Sequence, residues 1–212
     1  MPLAQTYDTL QGKVVTTLQD FYFDRLSRQS DIQEYLPFLH EQAKLKENTW
    51  VLELGTRGGN STLAFLAAVV ETGGHVWSVD IRNSRKMTFL KRNPHWTFIH
   101  GDDMDEAVQA QLPRKVDVLF IDTSHEYDHT LAELHTYMPR LTPNGVALFH
   151  DTNLYIRHNG GYMTLDRGNE TEDPPVRRAL NTYCQKMGLS WEDIPGEYGL
   201  GVIHASETSA AS

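Results

Sequence analysis

The run Trp50-Val51-Leu52-Glu53-Leu54-Gly55-Thr56-Arg57-Gly58-Gly59-Asn60-Ser61-Thr62 passes from an apolar strand through a glycine-rich turn into a helical pattern that continues to Val70. Glycines let a backbone turn tightly and approach a ligand, and a helix N-terminus offers unpaired N–H groups. The stretch therefore reads as a ligand-binding loop at the C-terminal end of a strand. It is not the dinucleotide fingerprint. Counted from Gly55, the positions where G-x-G-x-x-G needs its later glycines hold Arg57 and Asn60. An acid inside the strand end, Glu53, suits a ligand with a cationic group and no pyrophosphate. The plainer alternative is a tight strand-to-helix turn capped by Ser61.

Outward from this loop the chain alternates. Strands are predicted at Trp50–Leu54, His75–Val79, Trp96–His100, Val116–Ile121 and Gly145–Phe149, and helices over Ser61–Val70, Arg85–Lys91, Asp105–Gln111 and Tyr127–Met138. Such alternation means an α/β fold, a Rossmann-like three-layer sandwich whose mostly parallel sheet carries helices on both faces. A further helix is predicted over Val176–Met187. The runs Leu189–Ile194 and Leu200–His204 are separated only by Pro195 to Gly199, too short for a helical crossover, so they should pair antiparallel as a C-terminal hairpin. Residues 1–47 carry Leu18, Phe21, Tyr22, Leu26, Ile32, Tyr35, Leu36 and Leu39 at spacings suited to two or three helices, with Pro37 shortening or kinking the second. The expected organisation is an N-terminal helical segment (1–47), a ligand-binding domain (48–204) and a frayed tail (205–212).

The chain has 212 residues, with 40% hydrophobic and 22% charged, which suits one compact domain. Acidic residues outnumber basic ones by 28 to 19, and basic residues cluster only at Arg82, Arg85, Lys86, Lys91 and Arg92. That balance argues against nucleic acid and for a small molecule as partner. The N-terminus lacks the pattern of a signal peptide, no apolar run approaches the ~20 residues of a membrane span, and Cys184 has no partner for an internal disulfide. A cytoplasmic protein is expected. Aromatic residues Phe21, Tyr22 and Phe23 would suit a homodimer contact if exposed.

Three further strand ends carry candidate binding groups. Asp80 stands about 20 residues beyond the glycine loop, where an acid accepts from ribose hydroxyls. After the third strand, Asp102 or Asp103 is placed to accept from an adenine amine, with Met104 packing on the ring. The ordered set Glu53 to Ser61, Val79-Asp80, Gly101-Asp102 and Phe120-Ile121-Asp122 resembles the class I S-adenosylmethionine-dependent methyltransferases. The runs Ile121 to Tyr127, Pro143-Asn144-Gly145 and Phe149-His150-Asp151-Thr152 are similar to a bacterial subgroup of sugar and antibiotic O-methyltransferases and cephalosporin-hydroxylase-like proteins. The resemblance covers roughly residues 48 to 204 and implies a seven-stranded sheet. It also implies S-adenosylmethionine held by Glu53, Gly55, Thr56, Arg57, Gly59, Asn60, Ser61, Asp80, Ile81, Asp102, Asp103, Met104 and Asp122.

In an open parallel sheet, ligands collect beyond the C-terminal strand ends, so Asp122, His125, His150 and Asp151 should face one cleft. Methyl transfer to a hydroxyl needs in-line approach and removal of a proton. His125 is the expected general base, since an ordinary pKa near ~6.5 leaves it neutral at cytosolic pH; the alternative is a histidine capping the helix that begins near Tyr127. Asp122 and His150 complete the catalytic set. Asp122 and Asp151 also resemble the magnesium ligands of catechol-type and macrolide-sugar O-methyltransferases, but His150 and Thr152 stand where those families place another acid or an amide, with Asn153 as a substitute. Leu154 to Asp173 is long enough to cover the cleft, offering Arg157, His158 and Tyr162 to an acceptor. The expected activity is O-methylation of a sugar, glycolipid or other small molecule. The rivals are N-methylation of a small amine, a cofactor-binding protein of altered chemistry, and a nicotinamide oxidoreductase, which the glycine spacing disfavours.

Overall fold

The computed structural model describes residues 7–10, 13–15, 17–83, 90, 92–156, 162–164 and 173–205. A short antiparallel hairpin, β1 (Tyr7–Leu10) and β2 (Lys13–Val15), precedes α1 (Leu18–Leu26) and α2 (Leu36–Gln42), with a 3-10 turn at Gln33–Tyr35 between the helices. Then follow β3 (Trp50–Leu54), α3 (Asn60–Thr72), β4 (His75–Asp80), β5 (Trp96–His100), α4 (Glu106–Gln109), β6 (Val116–Ile121), α5 (Tyr127–Tyr137) and β7 (Leu141–His150). A hairpin of β8 (Leu154–Ile156) and β9 (Tyr162–Thr164), helix α6 (Pro175–Met187), β10 (Glu192–Ile194) and β11 (Leu200–His204) complete the chain.

Seven strands form the main sheet in the order β10-β11-β7-β6-β3-β4-β5. Strands β3 to β7 are parallel, and β11 runs antiparallel to both β7 and β10, as the five-residue Pro195–Gly199 connection requires. The chain starts at β3, winds out to β4 and β5, then crosses back to β6 and β7. The crevice between β3 and β6 is thus the point where the winding reverses, which is where such sheets bind ligands. Leu54 and Ile121 are in register there, so Gly55 and Asp122 leave the sheet side by side.

Both faces of the sheet are buried, which is why its strands read as continuous apolar runs. Val51 lies in one core with Tyr22, Leu36, Leu39 and Phe65; Leu52 and Leu54 lie in the other with Leu134, Tyr137 and Leu180. Helix α3 is apolar almost all round because α1 and α2 cover its outer side. The N-terminal helices therefore share the core of the sheet. Thr17 starts α1 with a reciprocal capping box to Asp20.

Several expectations are corrected. Pro37 neither shortens nor kinks a helix from within; it sits in the first turn of α2, where its missing N–H costs nothing. Tyr22 is buried and Phe21 packs on the core, leaving Phe23, 62% exposed, as the aromatic of that trio open to a partner. Strand β7 begins at Leu141, because Pro143-Asn144 is absorbed as a register irregularity against β6 with Asn144 at φ +65°. Apart from Leu90, the helix expected over Arg85–Lys91 lies outside the described residues, as do Arg157, His158 and the side chain of Tyr162. Among the described residues no helix is long and apolar enough to cross a membrane.

Candidate active site

The glycine loop is built around a close approach. A Cβ on Gly55 would lie 1.9 Å from the Asp122 carbonyl oxygen, and its φ of +85° belongs to the left-handed region. Glycine alone allows the β3 and β6 ends to touch there. Asp80, at the end of β4, turns back over the loop: its Oδ2 accepts from the Thr56 N–H, the Thr56 hydroxyl and the Arg57 N–H, each at 2.9 Å, and its Oδ1 from the Arg82 N–H at 2.7 Å. Burial alone would raise this carboxyl's pKa; the donated N–H bonds outweigh it and hold the pKa below the ordinary value. Arg57 makes an ion pair with Asp31 of the N-terminal segment. Helix α3 starts from Gly59 with no side-chain cap, so its first N–H groups stay available to a ligand. Ser61 is no cap, because its hydroxyl is engaged elsewhere.

That engagement is with Glu53. Its Oε1 accepts from Ser61 at 2.5 Å, and its Oε2 from Thr62 at 2.7 Å and Ser78 at 2.6 Å. The residue is fully buried, pointing with Val51 toward α3. A direct contact between Glu53 and a cationic group in the cleft is therefore not open in this arrangement: three hydroxyls hold the carboxyl beneath the loop. Burial is the main influence on this carboxyl and pushes its pKa up to about 7. Beyond β4 and β5, Ile81 is 65% exposed, Asp102 is exposed with Oδ1 accepting from the Met104 N–H at 2.8 Å, and Asp103 is buried. The two aspartates that spacing left even thus differ in exposure.

The four residues expected in one cleft do converge. His125 Nε2 lies 3.1 Å from Asp122 Oδ1 and 3.0 Å from Asp151 Oδ2. His150 Nδ1 lies 3.1 Å from the same Asp151 oxygen and 3.6 Å from Asp122 Oδ1. Both His125 (φ +61°) and Asp151 (φ +65°) adopt left-handed backbone, a conformation that costs a β-carbon residue about 1 kcal/mol or more. Side-chain exposure divides the cluster: Asp122 at 21% and His125 at 17% form its open face, while Asp151 at 4% and His150 at 1% stand behind. Burial works against the charged form of His125, but its hydrogen bond to Asp122 and the charge of Asp151 prevail and raise its pKa. The same opposition, won by Asp122 and Asp151, lifts His150 to about 10. Burial would raise Asp122, yet the two imidazoles hold it well below the carboxylate range. His150 is thus buried behind the open face, away from any molecule that enters the cleft in this arrangement.

Residues 52–152 match the family model described as a methyltransferase domain. Over that stretch the chain is similar to methyltransferases. Rhamnosyl O-methyltransferases of Mycobacterium bovis and Mycobacterium tuberculosis are 26% identical to it over 134 residues, 59% of this chain and 53% of theirs. The chain thus spans about half the length of these relatives. An O-methyltransferase from Bacillus cereus in complex with SAH aligns with a TM-score of 0.60 and 15% identity, over 89% of this chain and 90% of that one. The MycE methyltransferase of mycinamycin biosynthesis, in complex with Mg and SAH, aligns with a TM-score of 0.62 and 15% identity, over 92% of this chain and 55% of that one. At such identities the solved structures speak for the fold.

Magnesium fits this cluster poorly. Asp122, His125 and Asp151 do place ligand atoms within 4.8 Å of one another, and Asp151 Oδ1 is buried with no hydrogen-bond partner among the described residues. The donor set points the other way. Magnesium takes oxygen ligands in near-octahedral geometry, whereas here the facing carboxylate oxygens already meet two imidazole nitrogens. Asn153, the expected substitute ligand, donates from Nδ2 to the Gly196 carbonyl at 3.0 Å and accepts from Arg177 at 2.8 Å. The domain's chemistry is accordingly derived from its side chains.

Two aromatic residues went unread in the sequence. The Tyr35 ring stands edge-on to His150 at 5.6 Å, and the Tyr198 ring stacks on it at 6.1 Å. The Tyr35 hydroxyl accepts from the Gly199 N–H at 2.8 Å, and a Cβ on Gly199 (φ +78°) would lie 2.2 Å from Thr152 Oγ1. The available signal was Tyr198 beside a glycine in a tight connection. Cys184, buried on α6, has its thiol pushed up to about 11 by burial, which removes it as a nucleophile.

Proposed function

We propose that this domain transfers a methyl group from S-adenosylmethionine to a hydroxyl of a sugar or other small molecule. The observation that carries the reading is the open Asp122–His125 face at the end of β6, side by side with the glycine loop at the end of β3. S-adenosylmethionine supplies an electrophilic methyl on a sulfonium. The chain's residues fit it: the uncapped N–H groups of α3 and the Gly55–Gly59 loop suit its methionyl end, Asp80 at the end of β4 suits its ribose, and Asp102, Ile81 and Met104 beyond β4 and β5 suit its adenine. The names of the mycobacterial relatives and the SAH-bound Bacillus cereus neighbour support the same cofactor and acceptor class.

The Asp122–His125 pair takes the proton of the acceptor hydroxyl as its oxygen approaches the methyl carbon, with His125 Nε2 already bound to the carboxylates. Asp122 and Asp151 hold the imidazole from one side and stabilise the imidazolium that results. The charge of His150 favours the ionised forms of Asp122 and Asp151 against their burial and mutual repulsion, fully offsetting burial at Asp122 while the pKa of Asp151 stays raised. The His150 neighbours Tyr35 and Tyr198 exclude water from behind. Since the neutral imidazole is the base, a small amine acceptor would make His125 dispensable. The lone buried Cys184 suits a reducing, cytoplasmic setting, and Phe23 is the residue to test in a homodimer contact.

Calorimetry with S-adenosylmethionine and its demethylated product, followed by radiolabelled methyl transfer to a panel of deoxysugar, glycolipid and phenolic acceptors, tests the proposal. Micromolar binding and label on oxygen are expected. Binding of NAD in place of either sulfur compound, or label found on nitrogen alone, would overturn it.

A further inference from the structure

A second group of titratable side chains lies apart from the Asp122–His125 face. Asp103 comes from the loop after β5, and His129 and Glu133 stand one turn apart on the same side of α5. His129 Nε2 is 3.5 Å from Asp103 Oδ1 and 3.4 Å from Glu133 Oε1, and the three offer ligand atoms within 4.8 Å of one another. Glu133 is fully buried and Asp103 is 6% exposed. Thr123 donates to Glu133 Oε1 at 2.7 Å, and the Tyr137 hydroxyl donates to the Asp103 carbonyl. The other carboxylate oxygens, Asp103 Oδ2 and Glu133 Oε2, are buried with no hydrogen-bond partner among the described residues.

Two buried carboxylates facing one another need either a proton on one of them, which burial favours at Glu133 by raising its pKa to about 7, or a cation between them. One occupant is a proton on His129; the other is a metal ion. Distance separates the two. A charge-assisted N–H···O bond closes to about 2.7–2.9 Å, and neither contact of His129 does so. Tetrahedral ligands each about 2.0–2.1 Å from a zinc ion stand about 3.4 Å apart, which matches the two contacts of His129 at 3.5 and 3.4 Å. The reactive cluster differs on this point, its imidazole contacts lying at 3.0 and 3.1 Å.

We propose that Asp103, His129 and Glu133 form a zinc-type divalent-cation site that fastens the loop after β5 to α5. One imidazole nitrogen and two carboxylate oxygens suit zinc, and the unpartnered oxygens give both carboxylates capacity to bind in either mode. His129, 27% exposed at the side chain, marks the entry path and the place of a fourth, water ligand. The cation ties down the loop that carries Asp102 and Met104, so the site shapes the adenine end of the cleft without touching the reacting atoms.

The test is elemental analysis of the full chain after zinc loading and exhaustive dialysis, with affinity read by competition against a chromophoric chelator. One zinc per chain is expected, with affinity at least ten-fold weaker in His129→Ala and Glu133→Gln and unchanged in Asp122→Asn. X-ray absorption on the wild-type protein gives an answer even where a variant fails to fold: one nitrogen and two or more oxygens at about 2.0 Å are expected. A metal-free wild-type chain after loading, full zinc retention in His129→Ala, or zinc loss in Asp122→Asn would each overturn the proposal.

Discussion

Replacing Glu53 by Gln tests the reading of the buried carboxyl directly. Glu53 is fully enclosed, accepts three hydroxyl hydrogen bonds, and has its pKa moved from 4.5 to about 7 by burial. A folded-state pKa above the unfolded one means that the folded chain holds its proton longer. The stability linked to that proton is fully present below pH 4.5 and is lost as pH rises through about 7. Between pH 5 and pH 8 the loss from this group amounts to about 2–3 kcal/mol. Glutamine keeps the shape and most of the hydrogen bonding but has no proton to lose. Denaturant unfolding of both proteins at the two pH values gives the comparison. The variant should gain about 2–3 kcal/mol on the wild type from pH 5 to pH 8, with other titrating groups cancelling in the difference. A difference independent of pH, or one that moves against the variant as pH rises, would refute a buried carboxyl held near neutrality. Because Glu53 lies under the loop, cofactor affinity should change less than three-fold.

Other outcomes follow from the same geometry. His125→Ala should lower turnover by about 10²–10⁴-fold while calorimetry finds cofactor affinity unchanged; retained turnover removes it as base. With the His125 pKa raised, the neutral base forms only above the ordinary histidine range, so the rate should climb with pH beyond about 6.5, and Asp151→Asn should move that limb to lower pH. An acid limb already complete at pH 6 contradicts this. Added magnesium should leave the initial rate unchanged. Gly55→Ala places a methyl against the Asp122 carbonyl and should cost at least about 2 kcal/mol in denaturant unfolding. Asp80→Asn should weaken cofactor binding at least ten-fold by calorimetry, since it loosens the Thr56–Arg57 turn as well as the ribose contact.

The sheet was legible because a strand buried on both faces announces itself as an apolar run, and Val116–Ile121 or Leu200–His204 has no other reading. The same property hid Glu53. Where both faces are buried, alternation does not say which side is the cleft, and the acid at the strand end pointed to α3. The convergence of Asp122, His125, His150 and Asp151 was readable from their places beyond adjacent strand ends. Their division of labour was not, because His150 and Asp151 are consecutive and reach one cluster only through the left-handed turn at Asp151. Asn153 was drawn away by Arg177 and Gly196, partners distant in sequence. No local pattern links Tyr35 to them either.

That last contact bears on how the protein becomes active. The hydrogen bond between Tyr35 and Gly199 closes a loop of 164 residues, and the Tyr35 ring is one wall of His150. Contacts of such separation form late, after the local helices and neighbouring strands have already repaid their chain entropy. Refolding chains should regain their helical and sheet signal first and their turnover afterwards. For a chain leaving the ribosome the consequence is stronger: no nascent fragment lacking Gly199 holds the Tyr35 contact, so the wall beside His150 closes only when segments 164 residues apart have met.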